Sequence, residues 1–197
     1  MTRMTIPPDK AVAETRAWVE RAVIGLNLCP FAKAVHVKGQ VRYVVSDATD
    51  PEALCAKLVE ELQLLASADP AQVDTTLLIH PGTLTDFLDF NEFLDVADAA
   101  IEALGYAGVL QVASFHPQFQ FEGTDADDVT NATNRSPYPT LHLLREESID
   151  RAVAAFPEAD RIYEANMRTL QTLGAKGWAA LQAQCESDAG EATGGNH

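Results

Sequence analysis

The sequence predicts a small α/β protein in which helices flank a mixed four-stranded sheet. Apolar, β-branched segments of strand length alternate with longer segments whose apolar residues recur at helical spacing. The segments follow the order α-β-α-β-α-β-β-α-α. The first three strands, which helices separate, should therefore pair in parallel. The fourth follows the third without an intervening helix, so it should be antiparallel.

The first segments predict a helix, a strand and a second helix. Residues 10–28 place Val, Trp and Leu side chains at helical spacing, and Pro30 should end that helix. The stretch "VRYVVSDA" is rich in β-branched and aromatic residues, which predicts a strand at 41–46. Asp50 should then cap a helix over 51–66, which has proline at its first position.

The central segments add two strands and a helix. "TTLLIHPG" is a short apolar run closed by proline and glycine, so it predicts a buried strand at 75–80. A helix should follow at 87–104 and end at Gly105. "GVLQVASF" predicts the third strand at 108–115.

About twenty polar residues separate the third strand from the fourth, which "TLHLLR" predicts at 140–145. Ser148 should cap a further helix. A last helical region should follow Pro157 and continue to about 184. We expect residues 1–185 to form one domain and the tail 186–197 to be disordered.

Composition and charge limit the partners. No apolar run reaches the ~18 residues of a membrane span, and the N-terminus lacks the apolar segment of a secretory signal, so we expect a cytoplasmic protein. The net charge of −15 argues against nucleic acid and anionic membranes as partners. Fourteen acidic residues and no Lys or Arg lie between Lys57 and Arg135. Three basic residues within apolar or small-residue stretches therefore stand out, namely Arg42, Arg135 and Arg145. We expect Arg145 to pair with Glu146.

Two histidines predict the place of a functional site. His80 and His116 each end a predicted strand and precede a proline. Ligands of parallel α/β sheets bind beyond the carboxyl ends of the strands, and an antiparallel fourth strand would begin at that same edge. Both histidines are candidate general acid/base residues, since imidazole titrates near neutral pH. The alternative is that each ring only bonds a neighbouring carbonyl.

The segment "NRSPYP" should lie beside these histidines. Its prolines rigidify it, and a guanidinium, a hydroxyl and backbone N–H groups can together bind an anion. We therefore expect a small anionic metabolite as ligand, with loop 117–134 as a lid. The substrate-binding candidates are Asn134, Arg135, Ser136 and Tyr138, with Arg42 if its side chain faces this edge. The alternative is a simple turn in which Arg135 pairs with an acidic residue.

Two other hypotheses remain open. A divalent metal could be bound by His80 and His116, with Cys29 or His142 completing the ligand set. Cys29 would reach this edge, together with His36, only if residues 30–40 fold back across the sheet. No spacing signature supports this, and the helix dipole should raise the pKa of Cys29, which disfavours a reactive thiolate. The third hypothesis is a non-enzymatic module whose acidic helices bind a basic partner. The oligomeric state cannot be predicted.

Three stretches, "GLNLCPFAK", "SFHPQFQFEG" and "NRSPYPTLHLLRE", resemble a family of bacterial proteins that carry a domain of unknown function. The resemblance extends from about Thr15 to Leu181. It implies an enzyme-like site rather than a passive scaffold, and it implies that these stretches matter in the family as a whole. It supplies no substrate, cofactor or mechanism.

Overall fold

A four-stranded sheet with helices on both faces forms the centre of the protein, for which a computed structural model describes residues 6–156 and 158–194. The strands are β1 (Val41–Val45), β2 (Thr75–Ile79), β3 (Leu110–Phe115) and β4 (Thr140–Arg145). The helices are α1 (Pro8–Trp18), α2 (Ala32–Val37), α3 (Pro51–Ser67), α4 (Phe87–Ala103), α5 (Glu146–Ala155) and α6 (Ile162–Gly194). The predicted α/β class and the four strands are confirmed.

The strand order, β1-β2-β4-β3, corrects the predicted pairing. β1 and β2 pair in parallel, whereas β4 lies between β2 and β3 and is antiparallel to both. The prediction that the first three strands pair in parallel was therefore wrong, because β4 occupies the position beside β2 that β3 was expected to take. β1, β2 and β3 still point the same way. Their carboxyl ends share one edge, which we call the carboxyl edge, and β4 begins there.

Helices α3 and α4 cover one face of the sheet, which we call face A. Leu78, Leu141 and Leu143 project from the strands into this core. α3 presents leucines every three or four residues, and each stabilises the fold by roughly 1.5–3 kcal/mol when buried. Those leucines are Leu54, Leu58, Leu62 and Leu65. α3 begins as predicted, since the Asp50 carboxylate accepts from the backbone N–H of Ala53 at 2.8 Å.

The opposite face, face B, carries Tyr43, Leu77 and His142 in one row across the sheet. α1 and α6 cover it, and their tryptophans Trp18 and Trp178 enter its core. The first predicted helix changes character along its length: α1 passes into a π-helical segment at Val19–Ile24. α6 is broken at Gly174, whose φ of 69° and ψ of 170° favour glycine.

Several helical boundaries differ from the predicted ones. Ser148 does not cap a helix: α5 already begins at Glu146, and the Ser148 hydroxyl donates to Asp74 at 2.6 Å. α6 continues to Gly194 and buries Ala189, although we expected disorder from residue 186. Residues 195–197 of that tail, and Pro157, lie outside the described residues. The short helix α2 was not predicted.

Arg145 does not form the ion pair with Glu146 that we expected. Its Nη2 donates to the backbone carbonyls of Leu65, Ala68 and Val73 at 2.6, 2.9 and 3.1 Å. These carbonyls lie at the end of α3 and in the connection to β2, so the guanidinium satisfies a helix C-terminus. Within the described part of the chain, no helix is long and apolar enough to cross a membrane.

Candidate functional site

His80 and His116 both lie at the carboxyl edge, as their positions in the sequence predicted. Both are fully buried. β4 begins between the strands that carry them, so their backbones stand about two strand spacings, roughly 9–10 Å, apart. Phe90 of α4 fills the space between the rings, with its centroid 5.6 Å from that of His80 and 5.1 Å from that of His116. The two imidazoles therefore belong to one packed cluster on face A.

Both rings bond the turn formed by residues 81–86, which joins β2 to α4. His80 Nδ1 lies 3.1 Å from the carbonyl oxygen of Thr83, and His116 Nε2 lies 3.1 Å from that of Leu84. Leu84 has a φ of 53°, a left-handed conformation that is unfavourable for leucine. Gly82 is also constrained, because a Cβ there would lie 3.0 Å from the Ala48 carbonyl oxygen. The histidines thus fasten a tight turn.

The partners of these rings determine where the protons sit. A carbonyl oxygen only accepts, so His80 Nδ1 and His116 Nε2 must both be donors. His116 Nδ1 accepts from the backbone N–H of Gln118 at 3.0 Å, so both nitrogens of that ring are satisfied. His80 differs, because its Nε2 is buried and has no hydrogen-bond partner among the described residues.

Both imidazoles are neutral near pH 7. Burial lowers the pKa of His80 to about 4, and the nearby His116 acts in the same direction against the hydrogen bond to Thr83. Burial also lowers the pKa of His116, opposed by the Leu84 carbonyl and by the negative charge of Asp86. His80 therefore presents a ring nitrogen whose lone pair is free to accept.

The long polar loop between β3 and β4 is ordered by its own side chains and packs over His116. It contains a 3₁₀ helix at Val129–Asn134. Asn131 holds the loop together, since its Oδ1 accepts from the N–H of Phe121 at 2.9 Å and its Nδ2 donates to the Asp125 carbonyl at 2.8 Å. Phe119 packs against Phe87, which in turn contacts the His116 ring.

Arg135 is fixed by backbone carbonyls of this loop. Its Nε donates to Phe119 at 3.0 Å and its Nη2 to Ala126 at 2.6 Å. Within residues 6–156 and 158–194, no carboxylate oxygen lies within 4.0 Å of its guanidinium. Burial lowers the pKa of Arg135, and the charge of Asp128 acts in the opposite direction. The N–H of His116 donates to the Asn134 carbonyl at 3.1 Å, which joins this segment to the histidines.

The other residues of "NRSPYP" make internal hydrogen bonds. The Ser136 hydroxyl donates to the Tyr138 carbonyl at 2.5 Å. The Tyr138 hydroxyl donates to the Glu14 carboxylate of α1, and burial and that carboxylate raise its pKa. Asn134 Nδ2 is 3.4 Å from the Ser114 carbonyl, which is a long hydrogen bond. Of this segment, Arg135 has the clearest capacity for an additional ligand.

Arg42 lies away from the carboxyl edge. Its Nε and Nη2 donate to the two oxygens of Glu61 at 3.0 and 3.2 Å, and Lys57 lies 3.1 Å from the same carboxylate. Glu61 is only 1% exposed. This geometry is a paired structural site of α3 and β1, and it does not bring Arg42 together with His80.

The structure does not assemble the metal ligands that the sequence suggested. His142 lies on face B, with Nε2 2.7 Å from the Thr75 hydroxyl, and burial lowers its pKa to about 4. Cys29 packs on the same face, and burial raises its pKa despite hydrogen bonds from the backbone of Phe31 and Ala32. His36 pairs with Glu20 at 3.3 Å. Among the described residues, no three His, Cys, Asp or Glu side chains form a group that could hold a metal ion.

The elements that hold the site together were not predicted from the sequence. The signals of the 81–86 turn were present, since "HPGTLTD" contains proline, glycine and the aspartate that caps α4. Nothing in the local pattern indicated that Phe90 would separate the histidines. Nor did it indicate that Glu14 would meet Tyr138, 124 residues further along the chain.

A family model matches residues 10–180, a range that includes all four strands and every residue of the carboxyl edge. The chain belongs to the family described as "Protein of unknown function (DUF1415)". This confirms the resemblance to a domain of unknown function, whereas the bacterial origin and the role of the three motifs stay predictions. Neither the curated proteins nor the solved structures gave a match.

Proposed function

We propose that this chain is an enzyme that acts on a small anionic molecule bound at the carboxyl edge. Arg135 binds the anion, and one of the strand-end histidines transfers a proton. The observation that carries the proposal is the state of Arg135. Its guanidinium is held by two carbonyls and has no carboxylate partner among the described residues, in a chain whose net charge is −15.

The electrostatics support an anion at this position. Arg42 is paired with a carboxylate, that of Glu61, and this pairing compensates its charge. Arg135 instead receives two neutral acceptors, which orient its planar fork without cancelling its charge. Distant acidic side chains are screened over about 10 Å in ordinary buffer, so they weaken this local charge only in part. A phosphate, sulfate or carboxylate group is the natural complement.

The neutral histidines support proton transfer rather than charge stabilisation. A general base must be unprotonated when the substrate arrives, and burial keeps both rings in that form near pH 7. The loop that carries Arg135 also packs over His116, since Phe119 contacts Phe87 and Phe87 contacts the His116 ring. Substrate would enter when this loop opens, and its closure would exclude water from the reacting groups.

A thermal-shift screen tests the proposal. Untagged protein is screened against inorganic phosphate, sulfate and small phosphorylated or carboxylated metabolites, in the native form and as R135Q. We expect at least one anion to raise the Tm of the native protein, and R135Q to lose that shift. R151Q is the matched control, because Arg151 is exposed and its polar contacts among the described residues are with its helix neighbours Glu147 and Ser148.

R135K separates charge from geometry, because lysine keeps the charge and cannot donate to both carbonyls. We expect it to retain a smaller shift than the native protein. An R135Q protein that is folded, as judged by its near-UV circular dichroism, and that keeps the full shift with every anion would contradict the proposal.

A further inference from the structure

We propose that the two histidines have unequal roles: His80 is the proton acceptor at its Nε2, and His116 is a positioning residue that fixes the tautomer of His80 through the 81–86 turn. The assignment of a bound molecule to His80 rests on the proposed function. The coupling between the histidines does not, because it concerns the protein without ligand.

A chain of donors and acceptors defines both tautomers. The Gln118 N–H donates to His116 Nδ1, so the proton of that neutral ring sits on Nε2 and is donated to the Leu84 carbonyl. The adjacent Thr83 carbonyl accepts from His80 Nδ1. His80 therefore carries its proton on Nδ1, and its Nε2 keeps a bare lone pair. Each of the three bonded ring nitrogens faces a backbone group that can only donate or only accept, so the role of that nitrogen is fixed.

The turn needs an external contact to hold this arrangement. Leu84 adopts φ of 53°, which a leucine leaves readily when nothing restrains it. Within the described turn, the hydrogen bond from the Thr83 N–H to the His80 carbonyl is long, at 3.4 Å. The Asp86 carboxylate accepts from the backbone N–H groups of Leu88 and Asp89, so it caps α4. The bond from His116 to Leu84 is thus the contact that fixes the carbonyl to which His80 donates.

The bare nitrogen defines what the ligand must offer. His80 Nε2 is fully buried and unpartnered among the described residues, so a bound molecule that reaches it would supply an O–H or N–H donor. Together with Arg135 this describes a small anion that also carries a hydroxyl or amino group. In the reaction the proton passes to Nε2 and its bonding electron pair stays on the ligand oxygen or nitrogen. His80 becomes an imidazolium whose Nδ1–H still donates to Thr83, and the proton is later returned to product or water.

Nitrogen NMR of ¹⁵N-histidine-labelled protein without ligand tests the coupling. In the native protein we expect His80 to show a protonated Nδ1 and a bare Nε2, and His116 the reverse. H116F keeps an aromatic ring against Phe87 and Phe90 but removes both hydrogen bonds. We expect the His80 signals of folded H116F to lose this pattern and to show averaged values for the two nitrogens.

Two further variants make the test specific. H116Q keeps an N–H that can reach the Leu84 carbonyl, so it should preserve the His80 pattern, and it decides the matter if H116F does not fold. H142F removes a buried histidine from face B and should leave His80 unchanged. The proposal is overturned if native His80 carries its proton on Nε2, if folded H116F keeps the native pattern, or if H116Q loses it. A failed anion screen with the native tautomers in place would reject the proposed function alone.

Discussion

At the scale of single residues, burial decides the state of three histidines. His80, His116 and His142 each carry a lowered pKa, and burial is the first cause in every case. The hydrogen bonds from His80 and His116 to backbone carbonyls raise the pKa of these rings, so burial outweighs them. Such histidines make the folded state less stable in acid, because they bind protons in the unfolded chain but stay unprotonated in the folded chain.

Acid should therefore destabilise the protein in a defined window. The pKa of His80 is about 4 when folded and near 6.5 when unfolded, so its contribution is present above pH 6.5 and is lost as the pH falls towards 4. We expect the free energy of unfolding to drop by on the order of 2 kcal/mol between pH 7 and pH 5 from His80 alone. Urea titrations at both pH values measure this. H80N, whose amide can still donate to Thr83, should show a correspondingly smaller drop, and an unchanged drop would contradict the assignment.

The arginines show why sequence alone predicted residue roles only in part. Each of the three that stood out has a different set of partners. Arg42 pairs with Glu61, Arg135 with carbonyls of its own loop, and Arg145 with carbonyls at the end of α3. The first partner of each lies 19, 16 and 80 residues away along the chain. Composition marked these arginines as unusual, but only the folded chain determines whether a base meets a carboxylate or a carbonyl.

At the scale of elements, local patterns predicted the strands closely. Every strand matches its predicted range to within two residues, because each is a short β-branched run bounded by turn residues. The strand directions followed from the helical connections, and with them the meeting of His80 and His116 at one edge. The place of β4 between β2 and β3 did not follow. Strand order depends on contacts between distant segments, which periodicity does not encode.

The long loop between β3 and β4 shows the same limit. Its polar composition predicted a structureless lid, whereas the structure contains a 3₁₀ helix and a network centred on Asn131. Side-chain bonds to the backbone provide the order that apolar periodicity would provide in a longer helix. Asp128 begins the 3₁₀ helix by accepting from the N–H of Thr130 at 2.9 Å. Asp, Asn and Thr are frequent in flexible loops too, so composition could not distinguish the two states.

The break in α6 depends on the backbone conformation of Gly174. Gly174 has a φ of 69° and a ψ of 170°, which an alanine adopts only with strain. We expect G174A to lower the free energy of unfolding by more than about 1 kcal/mol. Gly190 lies in the same helix with a negative φ and open space around it, so G190A should be neutral or stabilising by up to about 1 kcal/mol. Equal effects of the two substitutions in urea denaturation would show that the break is not required.

At the scale of the whole molecule, charge is distributed unevenly. The outer side of α4 carries five acidic residues and no basic one, and these exposed carboxylates face solvent above face A. They are Asp89, Glu92, Asp95, Asp98 and Glu102. Such a surface repels itself, and this self-repulsion opposes the compact state. Within this acidic chain, Arg135 has no carboxylate oxygen within 4.0 Å among the described residues, and the negative charge of Asp128 acts on it from a greater distance.

Added salt should therefore stabilise the protein. Screening shortens the range of repulsion from roughly 30 Å at 0.01 M to about 3 Å at 1 M ionic strength, so we expect the Tm to rise as NaCl is added. Chloride could also bind Arg135, so R135Q is measured in parallel and should show a comparable rise. A Tm that is independent of NaCl would mean that self-repulsion is not significant in this fold.

Site-resolved NMR shows whether Arg135 is the group that binds the anion. Arginine Nε–H signals of ¹⁵N-labelled protein are followed as inorganic phosphate or sulfate is added, and the Arg135 signal is assigned by its absence from R135K. We predict a saturable shift of the Arg135 signal, with the signals of Arg42 and Arg145 unchanged. Arg42 is already paired with Glu61, and the Arg145 guanidinium is held by three backbone carbonyls with its Nε buried. If the Arg135 signal does not shift, or if the signal of an exposed arginine such as Arg151 shifts instead, Arg135 is not the group that binds the anion.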